Sequence, residues 1–332
     1  MPILSRRTLV AAAAALATRG AEAADPAALV HQLGWIKSVQ FGGHFAALEQ
    51  GYFTQQNVSA TFNAGGPGVE PRTVVATGRA TTSDLNSTGI VIGRAQGMPL
   101  RAFAAVMQRD PGAILSLADR PITSIADMAG RVIAVPNSIR PTLAVLFRRN
   151  KIDADKVTLV PVGTDPGMLA ARQVDGYYGW ATNQGSILRA RGVDIHVVLM
   201  NDLGVPGYAN VLFTTDENID KRGDDLARWL RADAMGWQWM TEHPDDTAKL
   251  VVDKYGPPGM DLRQQTIEAQ ETGSYIKEGD ATSKGLLWIE PGVFEQSIAF
   301  LQDAGAMPEG SHVRAEEIVT QDILKTAGLK RT

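Results

Sequence analysis

Trp35 follows directly on a short apolar run and precedes a polar stretch, so its ring can stand at the open end of a strand instead of inside a core. A flat ring held against an indole face gains about 0.5–1.5 kcal/mol beyond area burial. Gln40 and Phe41 lie just downstream, Gly65 and Gly66 precede Pro67, and Asn86, Ser87 and Thr88 close another apolar run. The glycine pair either lets backbone amides approach a ligand closely or simply makes a tight turn with positive φ. Ser87 and Thr88 can contact a ligand or cap a helix. Farther along, Asn137 and Ser138 open a helix, and Tyr177, Tyr178, Trp180, Asn183 and Gln184 crowd into one segment. Strand alternation sends the two tyrosines to opposite faces, so only one of them can face a given site, and Tyr178 is the candidate. The amide of Asn183 donates and accepts at once, which suits the mixed edge of a nitrogen heterocycle. Tyr208, in the run GVPGYAN, and Trp288 are secondary candidates for which a structural role is as good a reading.

Positive charge near these positions is dispersed over Lys37, Arg72 and Arg140. An anion would call for concentrated charge or several helix N-termini aimed at one point. The balance favours a mostly neutral aromatic ligand, with Arg140 available for an acidic tail. Other chemistries are excluded by what the chain lacks. With no cysteine there are no disulfides, thiolate metal sites or cysteine nucleophiles, and no G-x-S-x-G elbow is present. His31, His44, His196, His243 and His312 form no close-spaced ligand set, so no metal or other cofactor is expected. The net charge of −4, from 32 basic and 36 acidic side chains evenly mixed, offers no basic stripe for nucleic acid.

The elements that must position these side chains follow the grammar of an α/β protein, with short apolar runs alternating with helical periods. Strands are expected at Leu29 to Leu33, Val58 to Phe62, Ala80 to Leu85 and Arg101 to Met107. Helices are expected from Gly43 to Gln50, from Pro71 toward Gly78, and from Thr88 to Gln96. A second compact set places strands at Arg131 to Val135, Val157 to Val162, Val174 to Tyr178 and Ile195 to Met200, with Ser124 to Asp127 patterned as a capping box. From Asp224 to Tyr255 the chain reads as almost wholly helical, and Trp229 and Trp237 are expected in the core at helical spacing. If Ile114 to Ala118 and Val211 to Thr215 cross between two sets, the fold is a two-lobed clamshell: residues 24–117 and 212–332 in a discontinuous first lobe, 118–211 in the second. Its cleft would bring two sets of strand ends face to face.

Residues 1–23 read as an export signal: Arg6 and Arg7, an 11-residue apolar run from Thr8 to Thr18, and the Ala21-Glu22-Ala23 end. The run is too short to span a ~30 Å hydrocarbon core, and SRRTLV resembles a twin-arginine motif. Cleavage would remove three arginines and one glutamate and leave a soluble chain of charge −6 without a lipobox cysteine.

The run LGWIKSVQFGGHFAALEQGYF, the GGP loop with PRTVVATGRA, the segment SIADMAGRVIAVPNS and the block VDGYYGWATNQ, in this order and spacing, resemble the periplasmic solute-binding proteins of ABC importers for thiamine pyrimidine precursors, riboflavin, nitrate, taurine and alkanesulfonates. The resemblance covers nearly the whole chain after the signal. It implies the type II periplasmic binding protein fold, with each lobe a mostly parallel sheet flanked by helices. It also implies a periplasmic monomer that captures a small molecule in its cleft and delivers it to the transmembrane subunits of a permease. Trp35, the QFGG turn and VDGYYGWATNQ look most like the pyrimidine and flavin branch. An anion binder is the alternative. A second is an enzyme like the yeast pyrimidine synthases of this fold, from which this chain departs by having no cysteine.

Overall fold

The computed structural model describes residues 25–329, so the export-signal reading of residues 1–23 lies outside the described residues. Ten strands in two sheets carry the architecture: β1 (Ala27–Gln32), β2 (Val58–Asn63), β3 (Thr82–Leu85), β4 (Leu100–Met107), β5 (Gly112–Leu117), β6 (Val132–Val135), β7 (Thr158–Pro161), β8 (Gly176–Trp180), β9 (Ile195–Leu199) and β10 (Ala209–Thr215). The first sheet has the order β2-β1-β3-β10-β4 and the second β7-β6-β8-β5-β9. Position for position the two orders match, and in each the fourth strand arrives from the opposite lobe.

That arrival makes both sheets mixed where mostly parallel ones were expected. β1 runs parallel to β2 and β3, whereas β10 is antiparallel to β3 and β4. In the second sheet β6 is parallel to β7 and β8, and β5 is antiparallel to β8 and β9. A chain entering a lobe from the cleft side must run against strands that end at the cleft.

The crossings themselves are short. They are residues 108–111, between β4 and β5, and residues 200–208, between β9 and β10. The expected crossing strands Ile114 to Ala118 and Val211 to Thr215 instead fall largely within β5 and β10, so the expected lobe limits sit at the end of one strand and inside the other. β10 is buried along its whole length. A strand with both faces covered loses the alternation of an exposed one, and its pattern does not reveal which sheet it joins.

Helices flank the sheets: α1 (Gly42–Glu49), α2 (Pro71–Ala76), α3 (Ser87–Ala95), α4 (Arg140–Arg149), α5 (Gln184–Ala190), α6 (Asp216–Glu242) and α7 (Leu262–Lys277). α3 starts at Asn86, whose side-chain oxygen accepts from the Gly89 amide at 3.1 Å. The Ser124 to Asp127 box opens only a 3-10 turn over Ala126–Met128, because Asp127 reaches back to accept from the Thr123 and Ser124 amides at 2.9 and 3.0 Å. α6 kinks at Arg222 and then buries Leu226, Trp229, Leu230, Trp237 and Met240 on one stripe, as the spacing predicts. Its contact with α1 is close. A Cβ on Gly43 would stand 2.1 Å from the Trp237 ring, and one on Gly236 would stand 2.2 Å from the Gly43 carbonyl oxygen. Among the described residues no helix is long and apolar enough to cross a membrane.

Candidate functional site

A cleft of about 660 Å³ lies where the carboxyl ends of the strands of both sheets meet. The first lobe supplies Gly34, Trp35 and Ile36 after β1, Asp84 on β3, Asn86 just beyond it, and Asn210 on β10. The second supplies Thr164 after β7 and Trp180, Asn183 and Gln184 at the end of β8. The N-terminal turn of α7 closes a third side with Met260, Asp261, Gln264 and Gln265. Gln40 completes a set of seven carboxamides, and none of the lining residues is lysine, arginine or histidine.

The turn that presents Trp35 is tied down on both flanks. The Gly34 amide donates to Asp84 Oδ1 at 2.9 Å, and the Gly65 amide donates to the Trp35 carbonyl at 2.9 Å. A Cβ at Gly65 would meet the Leu33 carbonyl oxygen at 2.2 Å, so only glycine lets the loop after β2 lie this close to the turn after β1. The indole itself is 38% exposed, one of few large apolar side chains left open.

The amides are held in fixed directions. Gln40 Nε2 donates to Asn210 Oδ1 at 3.1 Å, and Asn210 Nδ2 donates to the Gln40 carbonyl at 3.2 Å. Asn210 adopts φ 47°, a conformation asparagine tolerates better than most residues. Gln184 Oε1 accepts from the Trp180 amide at 2.8 Å, which fixes the turn leaving β8.

Across the cleft, Asn183 Nδ2 donates to Glu268 Oε2 at 3.0 Å. The same oxygen accepts from Gln264 Nε2 at 2.6 Å and Gln265 Nε2 at 3.2 Å, while Gln265 Oε1 accepts from the Val39 amide at 2.8 Å. Glu268 is almost wholly buried, and burial pushes its carboxyl up to about 7 despite these donors. A second link, Arg189 to Glu271 at 2.7 Å, joins α5 to α7. One helix therefore grips both the 3-10 turn carrying Gln40 and the second lobe.

Of the residues expected at the site, the cleft brings together Trp35, Gln40, Pro67, Asn86, Trp180, Asn183 and Gln184. The others stand elsewhere. Phe41 is fully buried and faces His44 with ring centroids 6.3 Å apart. Gly65 and Gly66 shape the adjoining loop, Gly66 with φ 137°. Ser87 is buried with its Oγ accepting from the Tyr208 amide at 3.2 Å, and Thr88 lies within α3. Asn137 and Ser138 are exposed on a 3-10 turn.

Neither Tyr177 nor Tyr178 lines the cleft. β8 is covered on both faces, and each ring packs into a different apolar cluster of the second lobe. Tyr208 packs near Phe294, and Trp288 is buried with its indole N–H donating to Glu290. Arg140 donates to the Leu159 carbonyl at 3.0 Å and does not line the cleft. The histidines also depart from expectation: His31 and His44, dispersed in sequence, have ring centroids 4.8 Å apart in the first-lobe core.

Asp84, Asn210 and the Gln264-Gln265-Glu268 group went unforeseen. The last left a trace in the sequence, since Gln264, Glu268 and Thr272 repeat at helical spacing on the face of α7 that is buried. Polar residues where an apolar stripe belongs mark a buried network.

Two α/β lobes joined by two crossings around a polar, tryptophan-bearing cleft define a two-lobed binding-protein fold. The family model described as NMT1/THI5 like matches residues 38–247, and the chain belongs to that family. The formylaminopyrimidine-binding protein of Halalkalibacterium halodurans is 23% identical over 241 residues, covering 71% of this chain and 73% of that relative. The riboflavin-binding protein RibY of Chloroflexus aurantiacus is 23% identical over 284 residues, covering 83% and 80%. Among solved structures, the alkanesulfonate-binding protein SsuA of Xanthomonas axonopodis pv. citri superposes with a TM-score of 0.64 at 14% identity, covering 90% of this chain and all of the other. The fold also carries an enzyme. The desulfurization enzyme DSZB superposes with a TM-score of 0.59 at 17% identity, covering 91% and 99%.

Proposed function

We propose that this chain is an exported solute-binding protein that captures a small, uncharged aromatic heterocycle, of pyrimidine-precursor or flavin type, between its lobes. It then delivers this cargo, as a periplasmic monomer, to the permease of an ABC importer. The observation that carries the reading is the cleft's lining, in which Trp35 and Trp180 accompany seven carboxamides and no cationic side chain. A carboxamide carries both a donor and an acceptor, the complement of a ring edge that alternates N–H, C=O and ring nitrogen, and although Gln265 and Asn86 spend theirs on Glu268, Val39 and Gly89, the others bring that pairing chemistry to the cleft.

A sulfonate, nitrate or other small anion would face Asp84 and Asp261 with no countercharge among the described lining residues, an unfavourable burial. The relatives whose names give formylaminopyrimidine and riboflavin as ligands support the same class. The enzyme reading is the weaker one, because the chain has no cysteine to act as the nucleophile or motif residue that the synthase resemblance would require.

A thermal-shift panel of hydroxymethylpyrimidine, formylaminopyrimidine, riboflavin, nitrate and an alkanesulfonate tests the proposal. A true ligand at 100 times its Kd adds about 2.7 kcal/mol of stability. Stabilisation by a heterocycle and none by the anions is the expected result. The reverse ranking would overturn it.

A further inference from the structure

Behind the cleft floor, His31 on β1, His44 on α1 and Asp84 on β3 each place one ligand-type atom within 4.8 Å of the other two. All three side chains are buried. Each histidine already engages its Nδ1 with a residue outside the trio, as metal-binding histidines require. His44 Nδ1 pairs with Asp233 Oδ1 at 2.5 Å, and Asp233 Oδ2 in turn accepts from Trp237 Nε1 at 3.0 Å. His31 Nδ1 pairs with Thr82 Oγ1 at 2.9 Å. A carboxylate or hydroxyl that takes the Nδ1 proton leaves the Nε2 lone pair free for an ion.

A further observation singles out this cluster. His44 Nε2 is fully buried with no hydrogen-bond partner, a costly state for a polar atom in a nest of Phe41, Phe62, Trp229 and Trp237. The spacing also fits. Tetrahedral ligands at bond lengths of about 2.0–2.1 Å lie about 3.3 Å apart, and His31 Nε2 and Asp84 Oδ1, hydrogen-bonded to each other at 3.3 Å, already stand at that separation, so an ion would replace the proton they share. The wider edges must contract on loading.

The geometry points to a buried site for one first-row divalent transition ion, of the Zn²⁺ or Co²⁺ class, held by His31 Nε2, His44 Nε2 and an Asp84 carboxylate oxygen. Two imidazoles and one carboxylate select such an ion over Ca²⁺ or Mg²⁺, which prefer all-oxygen shells. The ion would tie β1, α1 and β3 together one side chain behind the ligand cleft, since Asp84 also lines that cleft.

The test uses the mature chain, expressed without a histidine tag, stripped with a chelator and titrated with Co²⁺. One Co²⁺ per chain is expected, with the visible d–d bands of a four- or five-coordinate ion that Zn²⁺ displaces. Asp84→Asn and His44→Phe should each weaken Co²⁺ by more than about 10-fold, and Asp233→Asn, which only orients His44, by about 10–100-fold. Circular dichroism accompanies each variant, because His44→Phe strands Asp233. The wild-type titration is decisive without the variants. Less than one ion per chain at saturation, or only the spectrum of the hexa-aqua ion, overturns the site, as does equal affinity in folded Asp84→Asn.

Discussion

Trp35 and Asn183 are the two residues on which recognition should depend most, and they fail in different ways. Removing the Trp35 ring deletes a stacking face without disturbing a core, since the indole is partly exposed. Trp35→Ala should weaken heterocycle binding by at least ~1 kcal/mol in calorimetry while leaving the melting temperature of the free protein nearly unchanged. Asn183 has a second duty, because its amide donates to Glu268. Asn183→Ala should both alter the ranking of ligands and remove one of the donors that stabilise the Glu268 carboxylate.

Glu268 itself sets a pH dependence. Burial raises its folded pKa to about 7 from the ordinary carboxyl value of 4.5, so the folded protein binds a proton more tightly than the unfolded chain. Its contribution to stability is complete below pH 4.5 and is lost as pH rises to about 7. Glu268→Gln should flatten that part of the stability-versus-pH curve, measured by chemical denaturation at successive pH values. An unchanged slope would show that the carboxyl titrates normally.

At the scale of elements, the crossing of α1 over α6 is the contact least able to give way. Gly43 and Gly236 let the helices meet over Trp237, and a methyl group at Gly43 would collide with a ring that is itself fully buried. Gly43→Ala should therefore destabilise the first lobe by about 1–3 kcal/mol in denaturant unfolding, the usual cost of overpacking a filled core. Gly51→Ala, with open space around it but φ 72°, should lose stability through backbone strain alone, whereas helical Gly43 carries no such strain and its loss reports the clash.

Most of these elements were legible in the sequence because period and breakers agreed: Val58 and Phe62 point inward on an edge strand, and Gly51 and Gly78 end their helices with positive φ. What stayed hidden were features set by partners distant in sequence. Phe41 sits beside Gln40 in the same turn, yet one side chain enters the core and the other the cleft. Tyr178 was lost to the fact that β8 is covered on both sides. His31 and His44 come together only because β1 and α1 pack through the aromatic core around Trp229.

At the scale of the whole molecule, the two sheets repeat one strand order, and their carboxyl ends face across the cleft. α7 spans that cleft, bonded to the second lobe through Glu268 with Asn183 and Glu271 with Arg189, and to the first through Gln265 with the Val39 amide. Opening of the clamshell about residues 108–111 and 200–208 has to break or rearrange the links to one side, which makes α7 the element whose contacts distinguish open from closed forms. A ligand that touches Trp35 and Trp180 together favours the closed form through that differential contact.

The central claim, a cleft built for a neutral heterocycle, is tested most directly by competitive titration calorimetry on folded, ligand-free protein. Hydroxymethylpyrimidine, formylaminopyrimidine and riboflavin would each be titrated before and after saturation with an alkanesulfonate. The account predicts saturable binding of at least one heterocycle, unaffected by the sulfonate and weakened in Trp35→Ala. Binding of the sulfonate with exclusion of every heterocycle would contradict it.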